Sequence, residues 1–509
     1  MKQKQLIITA KKIYTLNNNN TTYQSMLIED GKIKELSNSP LPYKNDKIDY
    51  PDKYIVPGFI DSHTHILGTG LQLVFPEVSS AQSFEEIFDR VSDASKIAQE
   101  HGFLVVYNFD PDNLKERRYP HRRELDRVLK DYPILLYRID GHSGVLNTKG
   151  LEQVLETQDK ILEQGLEYDD FKEPTGILRG KAYEFTARFF TAKFSPELRI
   201  QAFHKACELA IKHGVTLMTT MLGTEVDNIT CELLLQVQDK LPIEVIPFYQ
   251  TKDITRVKKL NLPRIGGCIL IDGSFGSHTA ALIDDYTDLS RSCVQGRDEP
   301  QNKGVLYLTD EELTTFYSES DANGLQTAVH AIGDRAIEQV VRCFESFLKD
   351  NRLRHRIEHC ELLNDNLIKR IRDLGLLVCV QPAFEHYWGG SDKMYKDRLG
   401  DRWQKTNPLK QLLEAGIMVT GGSDSPITPI DPLLGIKSAV NHPNPAHRIS
   451  PLQALEMFTK NGAYAISAEN RIGQLKENYQ ADFVVLDQDP LENIPNQITA
   501  VYKKGKSLI

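Results

Sequence analysis

Eight short, mostly apolar runs, many of them separated by amphipathic helical stretches, constrain this chain more than any other feature. They cover residues 56–62, 215–221, 243–249, 267–273, 325–330, 354–359, 376–381 and 417–424. Between several of them lie segments with helical periodicity, such as "RAIEQVVRCFESFLKD" and "NLIKRIRDLG". Eight strands alternating with helices predict an α/β chain folded as a (β/α)8 TIM-type barrel. An open doubly wound sheet is the alternative, and the absence of a Gly-rich first turn counts against it. Two further strand-like runs, 102–109 and 133–139, fall between the first and second barrel strands. Residues 70–200 are therefore read as an insertion after strand one.

The two ends of the chain are written differently. Residues 1–55 and 471–509 read as short strands, with Asp30-Gly31 in "SMLIEDGKIKEL" marking a tight hairpin. Both ends together are expected to build one small β-sandwich domain around the 56–470 barrel. At 509 residues the chain is long enough for a large domain plus a smaller one. Its net charge of −9 gives no basic excess of the kind that nucleic-acid partners select. The basic cluster at 115–127, "KERRYPHRRELDR", is interrupted by acids and reads as a solvated face.

Seven cysteines are scattered without a Cys-x-x-Cys pair, which suggests reduced thiols in a cytoplasmic setting. The apolar run near the N-terminus is too short for a signal peptide, and no apolar run reaches 18 residues. The expectation is a cytoplasmic protein with a small-molecule substrate, no nucleic-acid or membrane partner, and a homodimer as the default assembly.

Barrel enzymes place their chemistry at the C-terminal ends of the strands. Strand one ends in "DSHTH", where His63 and His65, two residues apart, project to the same side. Taken alone the pair means little: 14 histidines in 509 residues give roughly 0.4 such pairs by chance. Strand five ends in His330, strand six in His359 and strand eight in Asp424. Four imidazoles and a carboxylate meeting at one mouth make a donor set for zinc or a similar divalent ion.

"PGFIDSHTH", "HAIGDRA", "RIEH" and "GSDSP" together resemble the metal-dependent amidohydrolase superfamily. "RIDGHSGVLN", "PTGILRG", "IDGSFGSHTAAL" and "RIGQLKENYQADFVVLDQDP" are similar to its amidohydrolase 3 branch, which includes N-substituted formamide deformylase-like proteins. The resemblance spans nearly the whole chain. It implies a metal-carrying barrel, a β-sandwich from both termini and hydrolysis of an amide-type C–N bond. It also puts His63, His65, His330, His359 and Asp424 at metal-ligand positions, for one ion or two.

One position departs from the pattern. Many relatives carry a Lys on strand four that can be carboxylated to bridge two metals, and here Cys268 stands in its place. A thiolate is a zinc ligand, whereas a buried Cys is also an ordinary small apolar residue. In an extended strand, Cys268 and Asp272 lie ~13 Å apart, which puts Cys268 deep in the barrel if Asp272 is at the mouth.

The expected mechanism uses a bound ion to bring the pKa of water toward neutrality and to polarise a carbonyl. Asp424 takes the proton from the attacking water and hands it to the leaving nitrogen. Substrate-binding candidates are His142 in the insertion, Asp272, Phe384 and Trp388, with Tyr387 beside them. Asp334 is a candidate for orienting His330 or for capping the following helix. Cys360 and Cys379 read as core. A deaminase, an ester hydrolase with the same centre, or a catalytically silent scaffold are the competing readings, because fold alone does not fix function.

Overall fold

The computed structural model describes residues 5–42, 46–139, 143–157, 162, 165–223, 227, 229–288 and 302–509. Eight parallel strands form one sheet: β1 (Phe59–Thr64), β2 (Val215–Leu222), β3 (Glu244–Tyr249), β4 (Arg264–Ile265), β5 (Gln326–Ala331), β6 (Arg356–His359), β7 (Leu377–Val380) and β8 (Val419–Gly421). They neighbour one another in chain order. Every residue of β1, β2, β5, β6, β7 and β8 is buried, as expected of parallel strands covered on both faces.

The sheet is nearly closed, through backbone contacts between the end of β1 and the segment that follows β8. Asp424 N–H donates to His63 O (2.8 Å) and His65 N–H donates to Ser425 O (2.8 Å). Gly422 permits this approach, since a Cβ there would lie 2.6 Å from His63 N. Asp61 adds a side-chain tie: its Oδ1 accepts from Ser423 N–H (2.9 Å) and from His63 N–H (3.2 Å).

Strand four differs from its expected position. Regular pairing is confined to Arg264–Ile265, and the 267–273 run carries only an isolated bridge between Leu270 and His330. The cause is Gly266 and Gly267, both in the left-handed region (φ +94° and +67°), where glycine carries little steric cost. They break the pleat just before Cys268.

The chain ends meet in a single hydrogen-bonded sheet of seven strands rather than in two separate sheets. Its order is Lys506–Ser507, Ile498–Lys503, Phe483–Leu486, Asp46–Pro57, Gln5–Tyr14, Thr22–Glu29 and Lys32–Ser37. The 12-residue strand Asp46–Pro57 joins the two ends, pairing parallel with Gln5–Tyr14 and antiparallel with Phe483–Leu486. The hairpin at Asp30-Gly31 has positive φ at both residues (+50° and +79°), the backbone that two-residue hairpins of this type require.

The chain divides into two compact units, residues 1–66 with 206–509, and residues 67–205. The barrel and the terminal sheet share the first unit. The second holds its own five-stranded sheet, in the order Leu104–Phe109, Ile134–Arg138, Ser143–Leu146, Pro174–Arg179, Leu166–Tyr168. Its basic cluster is tied up locally: Arg118 pairs with Glu124 (2.8 Å), and Arg122 donates to Pro174 O (2.7 Å) and Thr148 Oγ1 (2.7 Å). No helix among the described residues is long and apolar enough to cross a membrane.

Candidate metal centre

His63, the fifth residue of β1, is fully buried. Its Nε2 lies 3.1 Å from Asp424 Oδ1, and His65 Nε2 lies 3.0 Å from the same oxygen. The two rings sit 5.4 Å apart, edge to face. Alternation along β1 thus brings both imidazoles to one carboxylate at the end of β8. Asp424 itself has φ +56°, a left-handed backbone that non-Gly residues seldom hold outside constrained sites.

The second half of the cluster comes from the segment after β4 and from β5 and β6. His330 and His359 have ring centroids 4.4 Å apart, and the His359 ring is 5.0 Å from that of His63. Cys268 Sγ lies 3.6 Å from His330 Nδ1 and 4.0 Å from His359 Nε2. The extended-strand distance that would set Cys268 deep does not apply, because residues 267–273 carry only the isolated Leu270–His330 bridge and are not a regular strand. Donor atoms of His63, Cys268 and His359 lie within 4.8 Å of one another, as do those of His63, His65 and Asp424.

Asp272 is fully buried, and its carboxylate accepts backbone N–H groups of Ala281 (2.8 Å), Ile332 (3.0 Å) and Gly333 (2.8 Å). It lies 3.7 Å from His330 Nε2, which also meets Gly273 O at 3.1 Å. Asp334 instead accepts from Ile283 N–H (2.8 Å) at the start of helix Asp334–Glu345. The carboxylate beside His330 is therefore Asp272. His142 lies outside the described residues. Phe384 stacks on His359 at 6.0 Å, and Trp388 packs against Phe384 at 4.8 Å.

Three groups escaped sequence reasoning. Glu358 Oε2 takes the His63 Nδ1 hydrogen bond (2.6 Å), and Arg356 holds Glu358 from behind with Nε on Oε1 (2.5 Å) and Nη2 on Oε2 (3.1 Å). Gln381 Oε1 takes the His359 Nδ1 hydrogen bond (2.7 Å). Such contacts fix the ring tautomer and leave the other nitrogen facing the centre. The available signal was the Arg356-x-Glu358 pair, two charges spaced to share one face of a buried strand. Strict alternation would send Glu358 and His359 to opposite faces. The left-handed backbone at His359 and Cys360 (φ +66° and +52°) ends the pleat, so both reach His63. Cys360 and Cys379 are fully buried, and Cys379 Sγ also lies near His63 and Glu358.

The electrostatics follow from this crowding. Burial pushes the Asp424 carboxyl up, but the neighbouring His63 and His65 outweigh it and hold it well below its ordinary value. Burial likewise opposes the Cys268 thiolate, and His330 and His359 outweigh it, so the thiol is also held well below its usual range. Burial disfavours the charged form of His330, yet Cys268 and Asp272 raise it to about 9. Among the described residues, His63 Nε2 and Asp424 Oδ1 are buried without a hydrogen bond, a costly state for polar atoms unless something else satisfies them. Imidazole, carboxylate and thiolate donors at these separations fit a divalent ion of the zinc type.

Comparisons with known proteins agree with this chemistry. The model of the amidohydrolase family matches residues 46–509. The Bacillus subtilis protein YtcJ is 28% identical, over 96% of this chain and 95% of its own length. N-substituted formamide deformylase from Arthrobacter pascens is 22% identical, over 96% and 94%. The crystal structure of an uncharacterised metal-dependent hydrolase from Pyrococcus furiosus superposes with a TM-score of 0.80 at 26% identity, covering 96% of this chain and 100% of that one. A barrel that gathers His63, His65, His330, His359 and Asp424 at its strand ends, matched along nearly its whole length, belongs to the amidohydrolase family.

Proposed function

We propose that the protein is a metal-dependent hydrolase that cleaves an amide-type C–N bond in a small molecule. The observation that carries this reading is the unsatisfied pair at the centre: His63 Nε2 and Asp424 Oδ1, buried, 3.1 Å apart and not hydrogen-bonded. His63, His65, His330, His359 and Asp424 are the side chains that would hold a divalent ion, with zinc favoured by the donor types. Cys268 is the further donor, and its place beside His330 and His359 supports a second ion or a shared ligand. A divalent ion supplies polarisation of a carbonyl and a lower pKa for water.

The chain's own residues do the rest. Glu358, backed by Arg356, holds the His63 proton on Nδ1 and so aims Nε2 inward. Gln381 does the same for His359. Asp424 accepts a proton from the attacking water and returns it to the departing nitrogen, which leaves as an amine rather than an amide anion. The relatives' names support C–N chemistry: one aligned along 96% of this chain is an N-substituted formamide deformylase.

The test is metal analysis of protein prepared without chelators, followed by assay against N-formyl, N-acyl and cyclic amides. Stoichiometric zinc with turnover of an amide is expected. Absence of stoichiometric metal would leave a silent scaffold, and turnover of esters alone would reassign the reaction. Cys268→Ser separates the ion counts: a fall from two ions to one marks the thiolate as a bridging donor.

A further inference from the structure

The helix that follows β7 carries a run of aromatic rings and, among them, a buried carboxylate. It spans Pro382–Trp388. The rings belong to Phe384, Trp388 and Tyr387. Their rings form a run from the centre outward: His359 to Phe384 at 6.0 Å and nearly parallel (16°), Phe384 to Trp388 at 4.8 Å, Trp388 to Tyr387 at 6.0 Å. Exposure rises along it, from 5% at Phe384 to 42% at Tyr387. Two other strand-end loops present apolar side chains as well. Leu270, bridged to His330, is 44% exposed, and Ile427, whose N–H donates to Asp424 O (2.8 Å), is 58% exposed.

Beside these rings stands Glu385, which is fully buried. Asn407 Nδ2 donates to its Oε1 (3.0 Å), and His442 Nε2 stands 3.7 Å from that oxygen. Asn407 is itself fixed by its N–H on Glu361 O (2.8 Å). A buried carboxylate adds little net stability, because desolvation offsets its pairing. Its place one residue after Phe384 gives it another use, that of fixing where the aromatic run stands.

We propose that Phe384, Trp388 and Tyr387 form the wall that binds a planar apolar group of the substrate, and that Glu385 is the positioning residue that holds this wall beside the centre. The proposal rests on the hydrolase reading above and adds the substrate class: amide-type compounds bearing an aryl or comparably flat apolar substituent. An aromatic run that leads away from a charged centre toward solvent is the apolar lining that small-molecule sites use.

The test compares phenylacetohydroxamate with acetohydroxamate, two metal-binding probes that differ by one phenyl ring, by titration calorimetry on zinc-loaded protein of measured zinc content. The phenyl probe should bind roughly tenfold tighter or better, as burial of an aromatic ring gives. Trp388→Ala should cut that ratio at least about threefold. Glu385→Ala should lower the ratio comparably, and Glu385→Gln, which still accepts from Asn407, should restore most of it; a merely structural role would weaken both probes alike. Equal binding of the two probes by zinc-loaded wild-type protein overturns the wall while leaving the metal reading intact. If the protein holds no zinc, the metal reading fails separately. Phenylacetamide against acetamide, followed by ligand-observed NMR, then decides the wall: preference for the phenyl compound sustains it and no preference overturns it.

Discussion

The centre has two halves that are reached by different means. His63, His65 and Asp424 stand at the ends of neighbouring strands β1 and β8, and simple pleat alternation plus barrel closure brings them together. Cys268 comes from the segment after β4, and His330 and His359 from β5 and β6; two of the three depend on backbone that leaves the pleat: the glycines before Cys268, and the left-handed turn at His359. The first half is assembled by regular geometry and the second by local exceptions to it. The proposed mechanism gives proton handling to the first half, through Asp424, and asks the second for donors and their orientation. Substitutions that strike one half and spare the other separate these duties.

The largest effect is expected at Asp424. Asp424→Asn keeps size and polarity but cannot hold a proton, so kcat should fall by roughly 100- to 10,000-fold, the range of positioned acid–base catalysis. Circular dichroism should stay close to wild type, and zinc content measured on the same sample should show that the ion is still held. Turnover within a few-fold of wild type would remove Asp424 from its role.

Metal removal comes next, and acts on both halves at once. Stripping the ion leaves buried donors facing one another, and a ligand bound only by the folded state at ~1,000 times its Kd adds about 4 kcal/mol to stability. Chemical denaturation with and without zinc should show a shift of that order. Identical curves would mean that the site binds no ion when folded.

Glu358→Gln probes the link between the halves, since Glu358 sits on β6 yet holds His63 of β1. The amide oxygen can still accept from Nδ1, but the charge facing Arg356 is gone. Loss of such an outer contact costs about 10- to 100-fold in metal affinity. Competition with a chromophoric chelator measures it. An unchanged affinity would assign the Arg356–Glu358 pair to packing alone.

How far the sequence exposes this arrangement follows the same division. The eight-strand pattern, the His63-x-His65 pair and the aspartate closing β8 are readable because strands alternate with period two and barrels collect function at strand ends. The strands Leu104–Phe109 and Ile134–Arg138 are readable as apolar runs that exceed the count of eight. The reach of Cys268 is not readable by the same rule, because ~3.3 Å per residue presumes an extended chain, and residues 267–273 are not a regular strand. Glu358 is hidden for a related reason. By alternation it belongs opposite His359, and the turn that brings both to His63 is a φ value that no residue pattern announces. The single terminal sheet is likewise a matter of which strand Asp46–Pro57 pairs with on each edge.

The smallest predicted effect tests that distinction directly. Gly267 has φ +67°, and a Cβ on it would lie 3.0 Å from Met221 Sδ and 3.2 Å from Phe248 Cβ. Gly267→Ala therefore combines a left-handed non-Gly residue with a tight contact, and about 1 kcal/mol of destabilisation is expected from the backbone alone. The strain is relieved if residues 266–268 straighten, and straightening draws Cys268 Sγ away from His330 and His359 while leaving His63, His65 and Asp424 in place. Cobalt-substituted protein reports the difference. Thiolate-to-cobalt absorption should weaken in Gly267→Ala, whereas the ligand-field bands that the histidines supply should persist. An undiminished thiolate band, in a variant shown by denaturation to be destabilised, would mean that Cys268 is held at the centre by packing around it and not by the glycine kink that precedes it.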